Sequence, residues 1–278
     1  MTSSNTEQLD YWNNAGGARW VAHQETLDRM VRPFGEAALA RLAPRPGEHA
    51  LDVGCGCGDT LLALAGAVGS TGSVTGIDPS RPMLARARAR IGEADLIDGD
   101  ASTHSFTRRF DLIFSRFGVM FFADPIAAFR HLSEALAPGG RLGFVCWRDP
   151  AENPWVSVPV AAVRRALPHL PPLYSADPNT PGAFSLARPG RVDEVLRAAG
   201  FSEVAAEPFD AEFALSSDGP LDAARVALVT GPASRLLADA SPDDRERAIA
   251  ALAEDLVPHS IGGRVALRGA AWSVLARV

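Results

Sequence analysis

The feature that most constrains this chain is one run, Leu51-Asp52-Val53-Gly54-Cys55-Gly56-Cys57-Gly58-Asp59. A short apolar segment, 48–53, leads into three glycines spaced one residue apart. A stretch with leucine and alanine at helical spacing, 59–68, follows. A strand that passes into a helix through bare backbone is suited to close approach, because a ligand reaches main chain that a Cβ would shield. The alternation then continues. Segments 73–77, 95–97, 110–114 and 141–147 read as strands, and 83–91 as an arginine-faced helix. A further helix starts after Asp124, which suits the N-cap, with Pro125 in the first turn and Gly139-Gly140 as the stop. Strands alternating with helices require crossover connections, and so a parallel, doubly wound α/β sheet.

After Trp147 the rhythm breaks. Residues 149–190 carry Pro150, Pro154, Pro159, Pro168, Pro171, Pro172, Pro178, Pro181 and Pro189, and read as an inserted cap or loop. A helix at 191–199 stopped by Gly200, a strand at 203–213, helices within 219–257 and a last strand at 271–278 complete the pattern. The organisation expected is an N-terminal helical lid (1–45), a core (46–148), the proline-rich insertion over the site (149–190), and the end of the core (191–278) carrying the helical insertion 219–257.

Composition narrows the function. At 278 residues and 47% hydrophobic the chain can bury a sizeable core, yet no run of 18 apolar residues lacks a charge. Met1 to Asp10 is polar and lacks the basic-then-apolar order of a secretory signal. The net charge of −6 argues against a nucleic acid or an acidic membrane surface as partner. All 27 basic residues are arginine, which excludes Schiff-base or general-base chemistry by lysine. Three cysteines fit a reducing compartment, and Cys55-x-Cys57 has no second ligand pair at zinc-finger spacing, so no metal is expected.

Three acidic motifs follow the strand ends. In the first, Asp59 stands where a dinucleotide fingerprint would place its third glycine, and carboxylates at 52 and 59 suit a cationic ligand better than a pyrophosphate. In the second, Gly76-Ile77-Asp78-Pro79-Ser80, Asp78 ends a strand where a carboxylate can accept from both ribose hydroxyls, or else cap the next helix. The third, Asp98-Gly99-Asp100-Ala101, offers a carboxylate to an adenine amino group, or is a plain Asp-Gly turn.

Over about residues 10–150 these motifs together resemble the class I S-adenosylmethionine (SAM)-dependent methyltransferases, especially the broad group that includes the quinone-biosynthesis methyltransferases. The resemblance implies a Rossmann-like, seven-stranded sheet of order 3-2-1-4-5-7-6, with 271–278 as an antiparallel strand seven. It implies that Asp52, Gly54, Gly56 and Gly58 surround the methionine part of SAM. Asp78 and Pro79 would lie at the ribose, Met83 beside the adenine, and Asp100 and Ala101 at the adenine edge. Phe110-Asp-Leu-Ile-Phe-Ser-Arg-Phe is similar to the segment that would place Ser115 under the sulfonium, and Pro138-Gly139-Gly140 to the turn before strand five. One departure is Cys57, at a position often held by Ala, Thr or Ser.

The acceptor is less legible. Tyr11, Trp12 and Trp20 lie on the helical segment where related enzymes carry a lid, and Trp20 is counted with the cofactor residues. Trp147 and Trp155 flank the proline-rich insertion. Aromatic faces there attract a sulfonium or stack on a flat acceptor, or simply bury lid against core. Arg116 and Phe117 follow strand four on the acceptor side; Arg116 either anchors an acceptor carboxylate or phenolate or forms a structural ion pair. His23 and His104 are the histidines best placed to act as a base, so His23, His104 and Arg116 are the catalytic candidates. The expected activity is methyl transfer to an O, N or C nucleophile of a small-molecule acceptor, by a cytoplasmic monomer or homodimer. A SAM-binding protein that does not methylate and a nucleotide-dependent oxidoreductase are the alternatives.

Overall fold

The five expected strands before residue 148 form one parallel sheet: β1 (His49–Val53), β2 (Ser73–Asp78), β3 (Asp95–Asp98), β4 (Phe110–Arg116) and β5 (Leu136–Trp147). The computed structural model describes residues 3–92, 95–170 and 180–278. Adding β6 (Glu203–Ser216), β7 (Ser260–Ile261) and β8 (Arg264–Arg277) gives the order β3-β2-β1-β4-β5-β8-β6, with β7 paired to β8. The expected order holds. The sheet has eight strands instead of seven, because a two-residue strand folds back on the start of β8 through the positive-φ pair Gly262-Gly263.

Strands β6 and β8 are longer than their sequence predicts. They pair antiparallel from Glu203↔Arg277 to Ser216↔Val265, whereas β5 covers β8 only from Ala271 to Arg277. The overhang is covered by α3 (Gln24–Leu42) and α9 (Pro220–Thr230). Gly269 sits inside it because a Cβ there would lie 2.6 Å from Cζ of Phe34.

Two proline and glycine signals read differently in three dimensions. Helix α6 (Pro125–Ala135) is capped as expected, the Asp124 carboxylate accepting from the Ala127 N–H at 3.0 Å. It ends before Gly139-Gly140, however, since Leu136 already pairs with Phe110 and the glycines fall in the irregular start of β5. The proline-rich stretch is not all loop: α7 (Pro154–Ala166) has Pro154 in its first turn and tolerates Pro159 inside. Its start is pinned by the buried Asn153. Its amide donates to the Arg148, Asp149 and Ala270 carbonyls, and its oxygen accepts from the Ala270 N–H and the Trp155 indole. Pro171, Pro172 and Pro178 lie outside the described residues.

The N-terminal segment forms α1 (Ser3–Asn13), α2 (Ala15–Ala22) and α3. Helix α3 packs on β5, β6 and β8 and buries Met30, Phe34, Ala38 and Leu42 at four-residue spacing. Burying each of the larger of these stabilises by roughly 1.5–3 kcal/mol. Among the described residues no helix is long and apolar enough to cross a membrane.

Candidate active site

The carboxyl ends of β1, β2 and β4 open into a cavity of about 610 Å³. One wall is made by the glycine loop. Gly54, Gly56 and Gly58 have φ of 70°, 54° and 86°, the left-handed region that favours glycine. A Cβ on Gly54 would stand 2.9 Å from the Cα of Gly118, so the loop and the turn after β4 touch backbone to backbone. The N–H groups of Gly54 and Cys55 both donate to the Ile77 carbonyl, at 2.8 and 3.2 Å, which locks the loop onto β2.

Asp78 completes that wall. It is 7% exposed, and its two oxygens accept from the N–H groups of Gly56 and Ser80, each at 2.8 Å. The N-cap of α5 (Arg81–Ile91) is Ser80, so Asp78 lies beyond the capping position and faces the cavity. Burial pushes its carboxyl up to about 6, against the two backbone donors that favour the ionised form. Each oxygen keeps a lone pair for a further donor.

Asp52, next to the end of β1, pairs with Gly76 of β2 and is fully buried. One oxygen accepts from the Thr60 hydroxyl; the other, Oδ1, is buried with no partner among the described residues. Burial raises this carboxyl to about 7, with Thr60 and Arg116 opposing. A buried acceptor without a donor is costly unless something else supplies one. Pro79, Met83, Asp100, Ala101 and Trp20 also line the cavity, whereas Asp52, Gly58 and Ser115 lie behind its surface. Ser115 is buried, its hydroxyl accepting from the Gly118 N–H at 3.2 Å and holding the turn after β4. Gly58 is the N-cap of α4 (Asp59–Val68).

A second part of the lining is aromatic. Phe117 has φ of 61°, uncommon for a bulky residue and costing of order 1–3 kcal/mol, and stacks on Trp147 at 4.0 Å and 12°. Trp155 lies 4.7 Å from Trp147 and stacks on Phe213 at 4.5 Å. All four line the cavity. Phe213, from the long β6, carries no local sequence signal.

The catalytic candidates separate. Arg116 lines the cavity, but its guanidinium is held at 2.7 Å from Asp59 and 3.1 Å from the buried Asp28 of α3. Arg90 and Arg32 extend this network. Of the two readings of Arg116, the ion pair is the one formed. Although burial opposes ionisation of Asp59, its arginine partners hold the carboxyl below the usual range. His23 and His104 do not reach the cavity, and no histidine lines it among the described residues. His23 sits at the junction of α2 and α3; the His104 carbonyl accepts from the His131 imidazole, and its ring meets Phe106 edge-on. The cavity thiols Cys55 and Cys57 are pushed up by burial, Cys57 to about 12, so both stay protonated. Among the described residues no cluster of three His, Cys, Asp or Glu side chains is arranged to hold a metal ion.

A doubly wound sheet with a glycine loop at β1 and an acidic end to β2 defines a nucleoside-binding class of protein. Comparison with known proteins narrows it. Residues 50–140 match the family described as Methyltransferase domain. The chain is 31% identical over 250 residues to a nocamycin O-methyltransferase of Saccharothrix syringae, covering 85% of this chain and 87% of that one. A demethylmenaquinone methyltransferase of Staphylococcus aureus is 41% identical over 100 residues, 34% of this chain and 42% of its own length. A proposed methyltransferase of Bacillus halodurans shares the fold, with a TM-score of 0.53 and 23% identity over 87% of this chain and 97% of the other. The chain belongs to the class I SAM-dependent methyltransferases. The bare backbone at Gly54 and Gly56, the two-acceptor carboxylate of Asp78 and the unpartnered oxygen of Asp52 are a donor and acceptor set that suits this cofactor.

Proposed function

We propose that the protein transfers a methyl group from SAM to an oxygen of a small, flat organic acceptor. The observation that carries this reading is the Asp78 carboxylate, aimed into the cavity and held by backbone N–H groups beside a loop whose Gly54 and Gly56 have no room for a Cβ. When bound, SAM supplies an electrophilic methyl group whose departure from a sulfonium leaves a neutral thioether. Asp78, with Pro79 beside it, accepts from the ribose hydroxyls, and Met83, Asp100 and Ala101 border the adenine. Gly54, Gly56 and Gly58, with Asp52 behind them, hold the methionine part, while Trp20 covers the site and Ser115 supports its floor.

Phe117, Trp147 and Trp155 then present flat faces on which an acceptor stacks, which supports an aromatic or conjugated acceptor. Catalysis on this reading is positioning and water exclusion, with neither His23 nor His104 acting as base. The oxygen nucleophile is supported by the O-methyltransferase that matches most of this chain. A net charge of −6 and a cavity of about 610 Å³ support a small molecule and not a nucleic acid as substrate. The test is a structure with S-adenosylhomocysteine, together with label transfer from methyl-labelled SAM to a panel of hydroxylated and carboxylated aromatics. The nucleoside should lie against Asp78 and the label on oxygen. A nucleoside lodged elsewhere would overturn the reading.

A further inference from the structure

Three arginines line the cavity, and their electrostatic states differ. Arg116 is neutralised by Asp28 and Asp59. Arg19 of α2 and Arg235, in the turn between α9 and α10 (Pro242–Leu256), form no ion pair with a carboxylate among the described residues. Arg19 donates instead to two neutral oxygens, the Ser234 hydroxyl at 2.5 Å and the Tyr11 hydroxyl. Arg235 stands over the Tyr11 ring at 4.6 Å, and Arg19 lies 5.9 Å from the same centroid. Two cations thus share one aromatic ring on the wall of a cavity, in a chain whose net charge is −6. The ring face attracts Arg235 by about 0.5–1 kcal/mol at an exposed site, which does not replace a counter-ion, while Arg19 meets the same ring at its hydroxyl edge. Because the Tyr11 oxygen accepts from Arg19, its own proton is left to donate.

The position of Arg235 ties this cluster to the acceptor side of the cavity. The turn carrying Ser234 and Arg235 packs on α7, and α9 packs on β6; α7 and β6 supply Trp155 and Phe213 of the aromatic wall. Tyr11 and Arg19 reach it from the lid, where α2 packs on α5 and the Ser80 hydroxyl donates to the Trp12 carbonyl, so the cluster spans from the Asp78 side to the aromatic wall. Resting on the methyltransferase reading above, we infer that Tyr11, Arg19 and Arg235 form an anion-recognition subsite that selects acceptors carrying a carboxylate on a flat ring system. The planar forks of the two guanidiniums match a carboxylate, and the Tyr11 hydroxyl adds a third donor.

The probes are 2-naphthoate and its neutral counterpart 2-naphthamide, titrated against the full chain with saturating S-adenosylhomocysteine and read by tryptophan fluorescence. Naphthoate should bind at least tenfold more tightly than naphthamide. Arg19→Gln and Arg235→Gln should each remove most of that preference while naphthamide and S-adenosylhomocysteine affinities stay constant, and lysine at either position should restore part of it. Arg235 is exposed, so its variants keep the fold even if Arg19→Gln loosens the lid. Equal binding of acid and amide, or a preference surviving both variants, overturns the subsite. So does a parallel loss of S-adenosylhomocysteine affinity, which would mean that the arginines hold the carboxylate of the cofactor. Binding of S-adenosylhomocysteine to the unaltered protein is read first. Its absence removes the cofactor site and the subsite together, whereas its presence without acid preference removes the subsite alone.

Discussion

The two walls of the cavity are made in different ways. The wall assigned to the cofactor is mostly backbone, and its partners are near in sequence: the hydrogen bond from Gly56 to Asp78 spans 22 residues. The wall assigned to the acceptor is mostly side chain, and its partners are distant: Arg19 to Ser234 spans 215 residues and Gln8 to Pro181 spans 173. On the reading proposed above, the first holds a constant ligand with groups that tolerate little substitution. The second is assembled from helices, turns and a strand overhang, each of which can change its side chains without disturbing the sheet. A fixed backbone cradle on one side and adjustable recognition on the other follow from that division. Arg116 joins the two sides, since Asp28 belongs to α3 and Asp59 to the glycine-loop helix.

The sharpest way to break this contrast is to put a side chain on the backbone wall. Gly54→Val should abolish S-adenosylhomocysteine binding, by more than about a hundredfold in calorimetry, because its Cβ meets main chain of Gly118 and its φ is 70°. Gly139→Ala is the control: its φ of 76° is equally strained but no atom lies within 4 Å of its Cβ, so binding should be unchanged with only a modest loss of Tm. Retained binding in Gly54→Val would show that the loop is not the cofactor wall.

Next in size is Asp78→Ala. Loss of acceptors for paired hydroxyls should weaken S-adenosylhomocysteine binding at least about tenfold in the same titration. An unchanged affinity in a folded variant would move the nucleoside away from β2. Since burial raises this carboxyl to about 6, affinity in the unaltered protein should also climb as pH rises through 6, where the better acceptor form takes over.

The smallest expected effect concerns stability. Asp52 has a folded value near 7, above its unfolded value, so the native state binds the proton more tightly and stability falls as pH rises from about 4 to 7. Asp52→Asn keeps an acceptor for Thr60 and removes the charge. Its Tm relative to the unaltered protein should therefore increase between pH 5 and pH 8, followed by scanning calorimetry. A difference independent of pH would mean that Asp52 is ionised throughout.

The legible parts of the molecule are those governed by short-range rules. Alternating segments predicted the parallel sheet, and Asp124-Pro125 predicted the start of α6, because N-caps and proline act on their immediate neighbours. Gly54, Gly56 and Asp78 were visible as a motif for the same reason. The misreadings are just as physical. Pro154 and Pro159 suggest a cap or loop without a helix of its own, yet α7 forms there, since its apolar face is buried and Asn153 anchors its first turn. Overhanging β6 and β8 were underestimated because each is stabilised by the other. Whether His23 or His104 lines the cavity is likewise not written in a local pattern.

What the amino-acid sequence determined by itself was the class of protein: turn chemistry, strand–helix alternation and the acidic residue ending each early strand all act within about thirty residues, the scale of one βαβ unit. What only the tertiary structure decided was the identity of the cavity's other half. It pairs Arg116 with carboxylates, leaves both candidate histidines off the cavity lining, and brings Tyr11 and Arg19 from one end of the chain to Arg235 near the other. Such contacts depend on how whole layers pack, and a linear reading holds no signal for which distant side chains will share a wall.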